Sequence, residues 1–369
     1  MRIVQINSVC DVGSTGRIAA DLARKAIQNG DEVLCAYGRK KSDATDIKSI
    51  RIGNTFDILW HIMVTRLFDM HGLASKRATK KFLKKMDEFH PDMFHLHNLH
   101  GYYINYPLLF KYIKNNNIKV VWTLHDSWAF TGHCAGPFCC DCIKYQTGCM
   151  ECEYKSKYPS CILLCRAGNN YLRKKGFFTG VNDLKIITPS EWLAGLVRSS
   201  FLGSYDIQVI HNTIDTNVFK PTTSDFRDRY HLNNKVIYLC VSFVWLDEKL
   251  DALKTIATKL TEDEIIVLVG LTKKEIKKIK GFQIVGIEKT DSKEQLAEIY
   301  SSADVFINPT VKDDNYPTVN LEAQACGVPV VSYNCGGAPE TIKPGMGCVV
   351  QWGDTEMMLE KAREYVKKK

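Results

Sequence analysis

The sequence lacks several features that would place the protein in a special class. Its 369 residues contain no run of 18 or more apolar residues, and the amino terminus, MRIVQINSVCDVG, has no charged stretch followed by an apolar core. These absences predict neither a membrane-spanning helix nor a signal peptide, so we expect a cytoplasmic protein, with the inner face of the membrane as the alternative location. No internal repeat or low-complexity tract is present. The length predicts about two globular domains.

Basic residues are distributed unevenly along the chain. Residues 1–220 carry a net charge of +10 and residues 221–369 a net charge of −2, which together give the formal net charge of +8. The strongest basic run, SKRATKKFLKKM at 75–86, follows the apolar FDILWHIMVTRLF. It has a single aromatic residue, Phe82, and not the series of interleaved aromatics that stack on successive bases. We therefore expect no nucleic acid partner. The pattern indicates peripheral contact with an anionic membrane, and a solvated helix face beside a buried one is the alternative.

Strand and helix patterns alternate along both halves of the chain. RIVQIN leads through DVGSTG into a helix with apolar residues at spacings of three and four up to Gly30, and the strand EVLCAY follows. A second alternation begins at KVIYLCVSF, after the polar segment VIHNTIDTNVFKPTTS. This predicts an α/β fold with two doubly wound domains, residues 1–218 and 219–353, and a C-terminal helix, 354–369, that packs back on the first domain. Two such domains predict a ligand cleft between the carboxyl ends of their sheets.

The segment DDNYPTVNLEAQACGVPVV, residues 313–331, carries the first candidate site. A helix that begins near Pro317 would direct unpaired N–H groups at an anion such as a diphosphate, and Glu322, one turn farther in, could accept hydrogen bonds from ribose hydroxyls. An amphipathic helix with an acidic first turn explains the spacing equally well. The candidate donor-binding residues are Asp314, Asn315, Tyr316, Pro317, Thr318, Val319 and Glu322.

The wider neighbourhood, NPTVKDDNYPTVNLEAQACGVPVVSYNCGGAPETI, closely resembles the carboxy-terminal signature of GT-B glycosyltransferases of family 4. In that family an acidic residue, seven intervening residues and a Glu flank the donor site, and a GGxPE turn follows. Asp314 and Glu322 match the acids, although the first acid is Asp rather than Glu. The resemblance extends to GSTGRIAADLA, HLHNLHGYYIN, WTLHDSWAFTGHC and ITPSEWLAGLVRSSFL. It implies the GT-B fold, in which two Rossmann-like domains face a central cleft. It also places Gly13 and Gly16 in a loop at that cleft and so adds them to the candidate donor-binding residues.

Two strand ends in the first half carry polar candidates. His125 and Asp126 follow the strand VVWTL, and in similar enzymes the His at this position contacts the transferred sugar. His97 ends the strand-like run MFHLH and Asn98 follows it. We rank them with His95 and His100 as acceptor-side candidates, with ordinary hydrogen-bonded loop residues as the alternative.

The resemblance implies a retaining reaction in which the acceptor hydroxyl attacks from the face that the nucleotide leaves. Stabilisation of the departing diphosphate then supplies most of the rate. Relatives carry a basic residue, a Lys and a Gly after the first strand of the second domain, whereas this chain has SFVWLDEKLDAL. Lys249 fits the Lys and, together with His125 and Asp126, is a catalytic candidate. Glu248 stands where a cation would help, and the Gly is missing.

Eight of the 14 cysteines lie between Cys134 and Cys165. A reducing cytosol disfavours disulfides, and Cys149 and Cys152 have the spacing of a zinc ligand pair. Similar enzymes show a cysteine pattern that implies a structural zinc in an insertion at about 131–165, and we expect no catalytic metal. An iron–sulfur cluster and free thiols are the alternatives. The first ligand set is Cys134, Cys142, Cys149 and Cys152, with His133, Cys139 and Cys140 as substitutes.

These residues together predict a retaining hexosyltransferase of polysaccharide biosynthesis. It would move a sugar from a nucleoside-diphosphate sugar to a growing, lipid-linked glycan. A sugar-nucleotide epimerase or hydrolase of the same architecture is one alternative. A catalytically inactive sugar-nucleotide-binding scaffold is another, motivated by Glu248 and the missing glycine.

Overall fold

The computed structural model describes residues 1–136, 142–310 and 314–367. The chain divides into two compact units, Met1–His211 and Asn212–Lys369. Each unit is built on one sheet whose strands alternate with helices along the chain. The predicted α/β architecture of two doubly wound units is therefore confirmed, whereas the domain limits at residues 218 and 353 stay predictions.

The sheet of the first unit has seven parallel strands in the order β3-β2-β1-β4-β5-β6-β7. Its strands are β1 (Arg2–Asn7), β2 (Glu32–Tyr37), β3 (Ser49–Arg51), β4 (Met93–Leu96), β5 (Lys119–Thr123), β6 (Leu184–Thr188) and β7 (Asp206–Val209). Its helices are α1 (Gly13–Gln28), α2 (Thr55–Phe68), α3 (Lys76–Phe89), α4 (Tyr106–Asn115), α5 (Ala167–Phe178) and α6 (Glu191–Arg198), with a 3-10 turn at Lys144–Gln146. The strands bury apolar residues on both faces, as parallel sheets require.

The second unit has a six-stranded parallel sheet in the order β10-β9-β8-β11-β12-β13. Its strands are β8 (Val236–Val241), β9 (Glu264–Val269), β10 (Ile284–Ile287), β11 (Val305–Asn308), β12 (Val330–Tyr333) and β13 (Gly347–Val350). Its helices are α7 (Phe226–Arg229), α8 (Asp247–Ala257), α9 (Lys273–Lys278), α10 (Lys293–Ser301), α11 (Thr318–Ala325) and α12 (Thr355–Val366), with a 3-10 turn at Ala338–Thr341. The C-terminal helix α12 buries Met358, Leu359 and Ala362 in the core of its own unit.

Strand order reverses between β1 and β4 in the first sheet and between β8 and β11 in the second. At such a switch point the neighbouring loops diverge and leave a crevice at the carboxyl ends of the strands, where ligands of open α/β sheets bind. The candidate residues that follow β4, β5, β8 and β11 are therefore the ones that the topology brings to these crevices.

Helices α2 and α3 present two different surfaces. The apolar side chains of Phe56, Leu59, Trp60 and Met63, at helical spacings of three and four, are exposed on α2, with Phe56 82% exposed. Helix α3 instead buries its apolar residues and exposes six basic side chains, Lys76, Arg77, Lys80, Lys81, Lys84 and Lys85. Among the described residues no helix combines the length and the hydrophobicity needed to cross a bilayer.

Candidate functional site

A cluster of buried imidazoles lies across three adjacent strands of the first unit. His95 in β4 pairs through Nε2 with the Thr123 hydroxyl of β5 at 2.8 Å. His97, just after β4, contacts His125 at 3.1 Å through Nδ1 and the Gln5 side chain of β1 at 2.6 Å through Nε2. The rings of His97 and His125 stack with centroids 5.4 Å apart. The structure thus brings two of the predicted site residues, His97 and His125, into direct contact.

The hydrogen-bond partners assign the protons in this chain of side chains. The Gln5 carbonyl oxygen can only accept, so Nε2–H of His97 donates to it and Nδ1 of His97 accepts from Nε2–H of His125. Burial lowers the pKa of His125 to about 4, against a smaller opposing effect of Asp126, and it holds the pKa of His97 well below its usual range. Both rings are therefore neutral at pH 7, with one proton each.

Asp126 follows His125 directly but belongs to a separate network. Its Oδ2 lies 2.6 Å from Nε2 of His100, and its Oδ1 accepts from the backbone N–H of Trp128. Burial alone would raise the pKa of Asp126, but His100 and the Trp128 N–H outweigh it and lower the pKa. Asn98 is held by its backbone, since its N–H donates to the side chain of Asn7 and its carbonyl accepts from a tyrosine hydroxyl.

The two predicted glycines lie at the start of α1, after β1. Gly13 has a φ of +67°, and the helix begins after Val12 without a side-chain cap. A Cβ on Gly16 would lie 2.9 Å from Cγ2 of Val9 and 3.4 Å from the Asp11 N–H nitrogen. The first turn of α1 therefore has bare backbone and close packing, which fits the predicted approach of a ligand to this loop.

Lys249 anchors a buried polar network in the second unit. Its Nζ donates to the side-chain oxygen of Asn308 at 3.2 Å, at the carboxyl end of β11. Asn308 in turn donates to Asn320 of α11 at 3.0 Å, and Asn320 donates to the hydroxyl of Thr341 at 2.9 Å. The network fixes Lys249 beside the helix that carries the predicted donor-binding residues, whereas its neighbour Glu248 is exposed.

The predicted donor-binding segment forms the turn before α11 and its first residues. Pro317 occupies the N-cap position, and no side chain caps the helix. Asp314 is exposed, accepts from the Tyr316 N–H at 3.2 Å and, through its carbonyl, from the Gly337 N–H at 2.9 Å. Asn315 lies in the same turn, half-buried. The turn is therefore held against the GGAPE segment.

Glu322 lies one turn into α11, behind the predicted phosphate-binding residues Thr318 and Val319. Its Oε2 accepts a hydrogen bond from the Tyr300 hydroxyl at 2.9 Å. A carboxylate has room for several donors, so Tyr300 orients Glu322 and leaves acceptor capacity for a ligand hydroxyl.

Sequence reasoning missed Gln5, Asn308, Asn320 and Thr341, which hold predicted residues in place. Asn308 could have been found, because it ends the strand DVFIN and a buried amide at a strand end needs a partner. Asn320 and Thr341 gave no signal of this kind, since their contact joins residues that lie 21 positions apart.

The four predicted zinc ligands line one small cavity in the first unit. Cys134, Cys142, Cys149 and Cys152 surround a volume of about 20 Å³, room for one water-sized particle, together with the side chain of His133. The Gly132 N–H donates to Sγ of Cys149 at 3.1 Å. Burial raises the pKa of Cys134 to about 12 and that of Cys152 to about 11. The cavity has room for one zinc ion, whose charge would favour the thiolates.

The substitute ligands are placed differently. His133 borders the same cavity, but its Nδ1 lies 2.7 Å from Oδ1 of Asp69. Cys139 and Cys140 lie outside the described residues.

Two family models match the chain. The model for glycosyltransferase family 4 matches residues 15–218, more than half of the chain, and the model for glycosyl transferases group 1 matches residues 236–368. The chain belongs to glycosyltransferase family 4. The resemblance that the DDNYPTVNLE and GGAPE segments suggested is confirmed, and the chain is a glycosyltransferase of the GT-B type.

Curated relatives of this chain include a glycosyltransferase that is named for the synthesis of a polysaccharide. WcaC of Escherichia coli K12, named as a colanic acid biosynthesis glycosyl transferase, is 24% identical over 95% of this chain and 87% of its own length. The N-acetyl-alpha-D-glucosaminyl L-malate synthase of Bacillus anthracis is 28% identical, but the match covers only 44% of this chain and 45% of that enzyme. The full-length similarity is thus with WcaC, and the other is local.

Solved structures share the fold. Sucrose-phosphate synthase from Thermosynechococcus elongatus superimposes with a TM-score of 0.67 at 15% identity, covering 100% of this chain and 94% of that chain. HepE of Anabaena in complex with UDP-glucose gives a TM-score of 0.67 at 13% identity, covering 100% and 90%. At these identities the similarity establishes the GT-B fold alone.

Proposed function

We propose that this glycosyltransferase transfers a hexose, with retention of configuration, from a nucleoside-diphosphate sugar to a lipid-linked glycan at the inner surface of the membrane. The observation that carries the proposal is the uncapped first turn of α11, which has a buried cation, Lys249, fixed beside it and an oriented carboxylate, Glu322, one turn behind it. This is the charge pattern that a ribosyl diphosphate requires: donors and a cation for the phosphates and an acceptor for the ribose hydroxyls.

The comparisons support a nucleotide donor. HepE of Anabaena has been crystallised with UDP and with UDP-glucose, and starch synthase IV of Arabidopsis thaliana with ADP. These ligands are bound by those proteins. A panel of donors identifies the base and the sugar that this chain prefers.

In the proposed reaction the bond between the anomeric carbon and the diphosphate oxygen breaks while the acceptor oxygen bonds to the same face of that carbon. The acceptor proton passes to the departing phosphate oxygen, so no protein nucleophile is needed. Negative charge builds up on the diphosphate, and Lys249 with the N–H groups of α11 would stabilise it. In the first unit, His125 and Asp126 would contact the transferred sugar, Gly13 and Gly16 would approach the donor, and His97 and Asn98 would lie on the acceptor side.

The surface of α2 and α3 supports the membrane location. Phe56, Leu59, Trp60 and Met63 expose an apolar stripe, and the neighbouring helix exposes six basic side chains. Aromatic and aliphatic residues that insert at the headgroup level, beside lysines that attract anionic lipids, are typical of peripheral membrane helices. We propose that this face docks on an anionic bilayer, which would bring the enzyme to a lipid-linked acceptor.

We also propose a structural zinc at Cys134, Cys142, Cys149 and Cys152, supported by the convergence of these side chains on one ion-sized cavity. The ion would tie the segment around the 3-10 turn at Lys144–Gln146 to the residues that follow β5. It would shape the acceptor side and take no part in the chemistry.

Donor binding is tested by a thermal-shift panel of nucleoside-diphosphate sugars on the full chain, because a ligand that binds the folded state raises its melting temperature. We expect one donor to stabilise the protein and Glu322→Gln to lower its affinity by about tenfold, which corresponds to one charged hydrogen bond. Glu294→Gln, on the exposed surface of α10, is the matched control. If every donor leaves the melting temperature unchanged, the assignment of α11 as the donor site is wrong.

Transfer is tested with the stabilising donor, radiolabelled in its sugar, and a bacterial membrane extract. Label in the lipid fraction with unchanged anomeric configuration supports the proposal. In the absence of acceptor, release of free labelled sugar would instead favour a hydrolase, and an epimerised donor would favour an epimerase. Binding without any turnover would favour the hypothesis of an inactive sugar-nucleotide-binding scaffold, which Glu248 and the missing glycine motivate.

Membrane docking is tested by co-sedimentation with vesicles of phosphatidylglycerol and phosphatidylethanolamine and, separately, of phosphatidylcholine alone. We expect binding only to the anionic vesicles and a tenfold or larger loss for Phe56→Ser combined with Trp60→Ser. Trp352→Ser is the control, because Trp352 is similarly exposed but lies in the second unit. Equal binding of both variants would contradict the assigned face.

A further inference from the structure

A second group of metal-ligand side chains lies outside the four-cysteine cavity. Asp69, His133, Cys161 and Cys165 each offer one ligand atom, and these four atoms lie within 4.8 Å of one another. A tetrahedral zinc ion holds its ligands at about 2.0–2.3 Å, which places them roughly 3.3–3.8 Å apart. The group therefore needs only small side-chain movements to close on an ion. It shares no cysteine with the four-cysteine set.

His133 and Asp69 are already in contact within the group. The His133 side chain is fully buried, and Asp69, also fully buried, occupies Nδ1 at 2.7 Å. The other ring nitrogen, Nε2, is buried and has no hydrogen-bond partner. An ion bound by Oδ1 of Asp69 and Nδ1 of His133 would take the place of the proton that these two atoms share, and the proton of the neutral ring would then lie on Nε2.

The backbone around the group is fixed before any ion binds. Asp69 ends α2 with a φ of 50°, its Oδ2 accepts from the Arg166 N–H at 2.7 Å, and its carbonyl accepts from the side chain of Asn170 at 2.6 Å. The Cys161 N–H donates to the Lys155 carbonyl at 2.8 Å. The residues after Cys161 run beside the end of α2, where the Ile162 N–H donates to the Arg66 carbonyl at 2.6 Å and the Leu164 N–H to the Leu67 carbonyl at 3.2 Å. Prearranged ligands of this kind favour metal binding.

Burial and charge select the class of ion. Two thiolates, one imidazole and one carboxylate are the soft and borderline donors that Zn²⁺ accepts and that Mg²⁺ and Ca²⁺ do not prefer. Asp69, His133 and Cys161 are buried, whereas Cys165 is exposed and gives the ion a route from solvent. A divalent cation would neutralise most of the negative charge that the two thiolates and the carboxylate carry.

We propose that Asp69, His133, Cys161 and Cys165 bind one zinc-class divalent cation, distinct from the ion assigned to the four-cysteine cavity. The ion would join segment 161–165 to the C-terminal end of α2. This segment exposes the apolar side chains of Ile162, Leu163 and Leu164, so the ion would hold a second apolar element beside the exposed stripe of α2. The proposal does not depend on the donor, the acceptor or the membrane.

Zinc stoichiometry by mass spectrometry on the purified full chain, after passage over a weak chelator, tests the second site. We expect Cys161→Ser with Cys165→Ser to remove one zinc equivalent relative to the unmodified chain. Cys149→Ser with Cys152→Ser reports the four-cysteine site separately, so a failure of that site leaves this test intact. Cys240→Ser, at a buried cysteine in the second unit, is the control for a lost thiol. An unchanged zinc content in the Cys161 and Cys165 double variant would overturn the proposal.

A single substitution at an exposed residue distinguishes the loss of a metal ligand from misfolding. Cys165 is exposed, so Cys165→Ser should leave the fold intact, as checked by circular dichroism. In the Co²⁺-loaded protein we expect Cys165→Ser to lower the intensity of the thiolate-to-cobalt absorption by the contribution of one thiolate. We expect Asp69→Asn to shift the visible bands of tetrahedral Co²⁺. An unchanged cobalt spectrum in both variants, or a Cys161–Cys165 disulfide that persists in a reducing buffer, would equally overturn the proposal.

Discussion

The two units share one architecture but differ in the polar groups that they place at the carboxyl ends of their strands. The first unit carries a chain of imidazoles, His95, His97 and His125, that burial keeps neutral. The second carries amides and a hydroxyl around Lys249, groups whose hydrogen bonds do not change with protonation. The parallel sheet therefore fixes where a site forms, while the side chains at the strand ends decide whether the site responds to pH.

The largest expected effect comes from removing the cation of the second unit. Lys249→Ala should lower kcat for sugar transfer by about 10²–10³-fold, because it removes the charge proposed to stabilise the departing diphosphate. It also leaves the buried side-chain oxygen of Asn308 without its donor. Steady-state kinetics with the identified donor measure the change. Lys254→Ala is the control, since Lys254 lies on the same helix and pairs with Asp251 near the surface. A Lys249→Ala enzyme with half or more of normal kcat contradicts the assigned role.

Acid should separate the stabilities of the two units. Burial lowers the pKa of His61 to about 3 and those of His95 and His125 to about 4, below the value of 6.5 in an unfolded chain. A group with a lowered folded pKa contributes stability that is complete above the unfolded value and is lost as the pH falls toward the folded one. The first unit should thus lose about 2 kcal/mol per histidine between pH 7 and pH 5.

The second unit should resist this pH range. Burial would raise the pKa of Glu264, but hydrogen bonds from Arg363, the Thr261 N–H and Tyr238 outweigh it and lower the pKa to about 2. The contribution of Glu264 to stability is therefore lost only as the pH falls below about 4.5, the pKa of a glutamate in an unfolded chain. Pulse proteolysis in urea at pH 7 and pH 5, with fragments assigned by mass spectrometry, follows each unit separately. Equal losses in both units at pH 5 would contradict the comparison.

A non-titrating variant sharpens the acid experiment. His61 accepts from the Gly72 N–H through Nε2 at 2.9 Å and donates through Nδ1–H to Ser75 at 2.8 Å, so it must be neutral in the folded state. Glutamine supplies one donor and one acceptor without titrating. We expect His61→Gln to reduce the loss of stability of the first unit between pH 7 and pH 5 by about 2 kcal/mol, the contribution of one histidine. This difference is independent of any effect of the substitution on stability at pH 7.

A medium effect is expected from breaking the amide network. Asn320→Ala removes the acceptor of Asn308 and the donor to Thr341, and each buried group left unsatisfied costs roughly 1–3 kcal/mol. The second unit should therefore unfold at lower urea, and donor affinity should fall because Lys249 loses its fixed position. Asn233→Ala, at an exposed asparagine paired with Asp228, should have little effect. Normal stability in Asn320→Ala would mean that the network contributes nothing.

The fold followed from sequence because its signals are local. Hydrophobic periodicity placed the strands, and His125, Lys249 and Asp314 were predicted as site residues because each follows a buried strand or matches a family motif. The partners that hold these residues were not found. Gln5 meets His97 across 92 positions, and Asn320 meets Thr341 across 21, distances at which neither periodicity nor spacing carries information. The cluster around Asp69 was missed for the same reason, since Asp69 lies 64 positions before His133.

The smallest expected effect comes from adding a side chain to a glycine in the first turn of α1. Alanine in a helix is favoured over glycine by about 1 kcal/mol, and Gly195→Ala in α6, where a Cβ would meet open space, should gain most of it. Gly16→Ala should lose a similar amount instead, about 1 kcal/mol net, because its Cβ would press on Val9 at 2.9 Å. Urea unfolding of the two variants measures this difference. If a substrate approaches this loop, Gly16→Ala will also raise KM while Gly195→Ala leaves it unchanged. If Gly16→Ala is as stable as Gly195→Ala and as active, the glycine serves neither packing nor binding, and the first unit binds its substrate elsewhere.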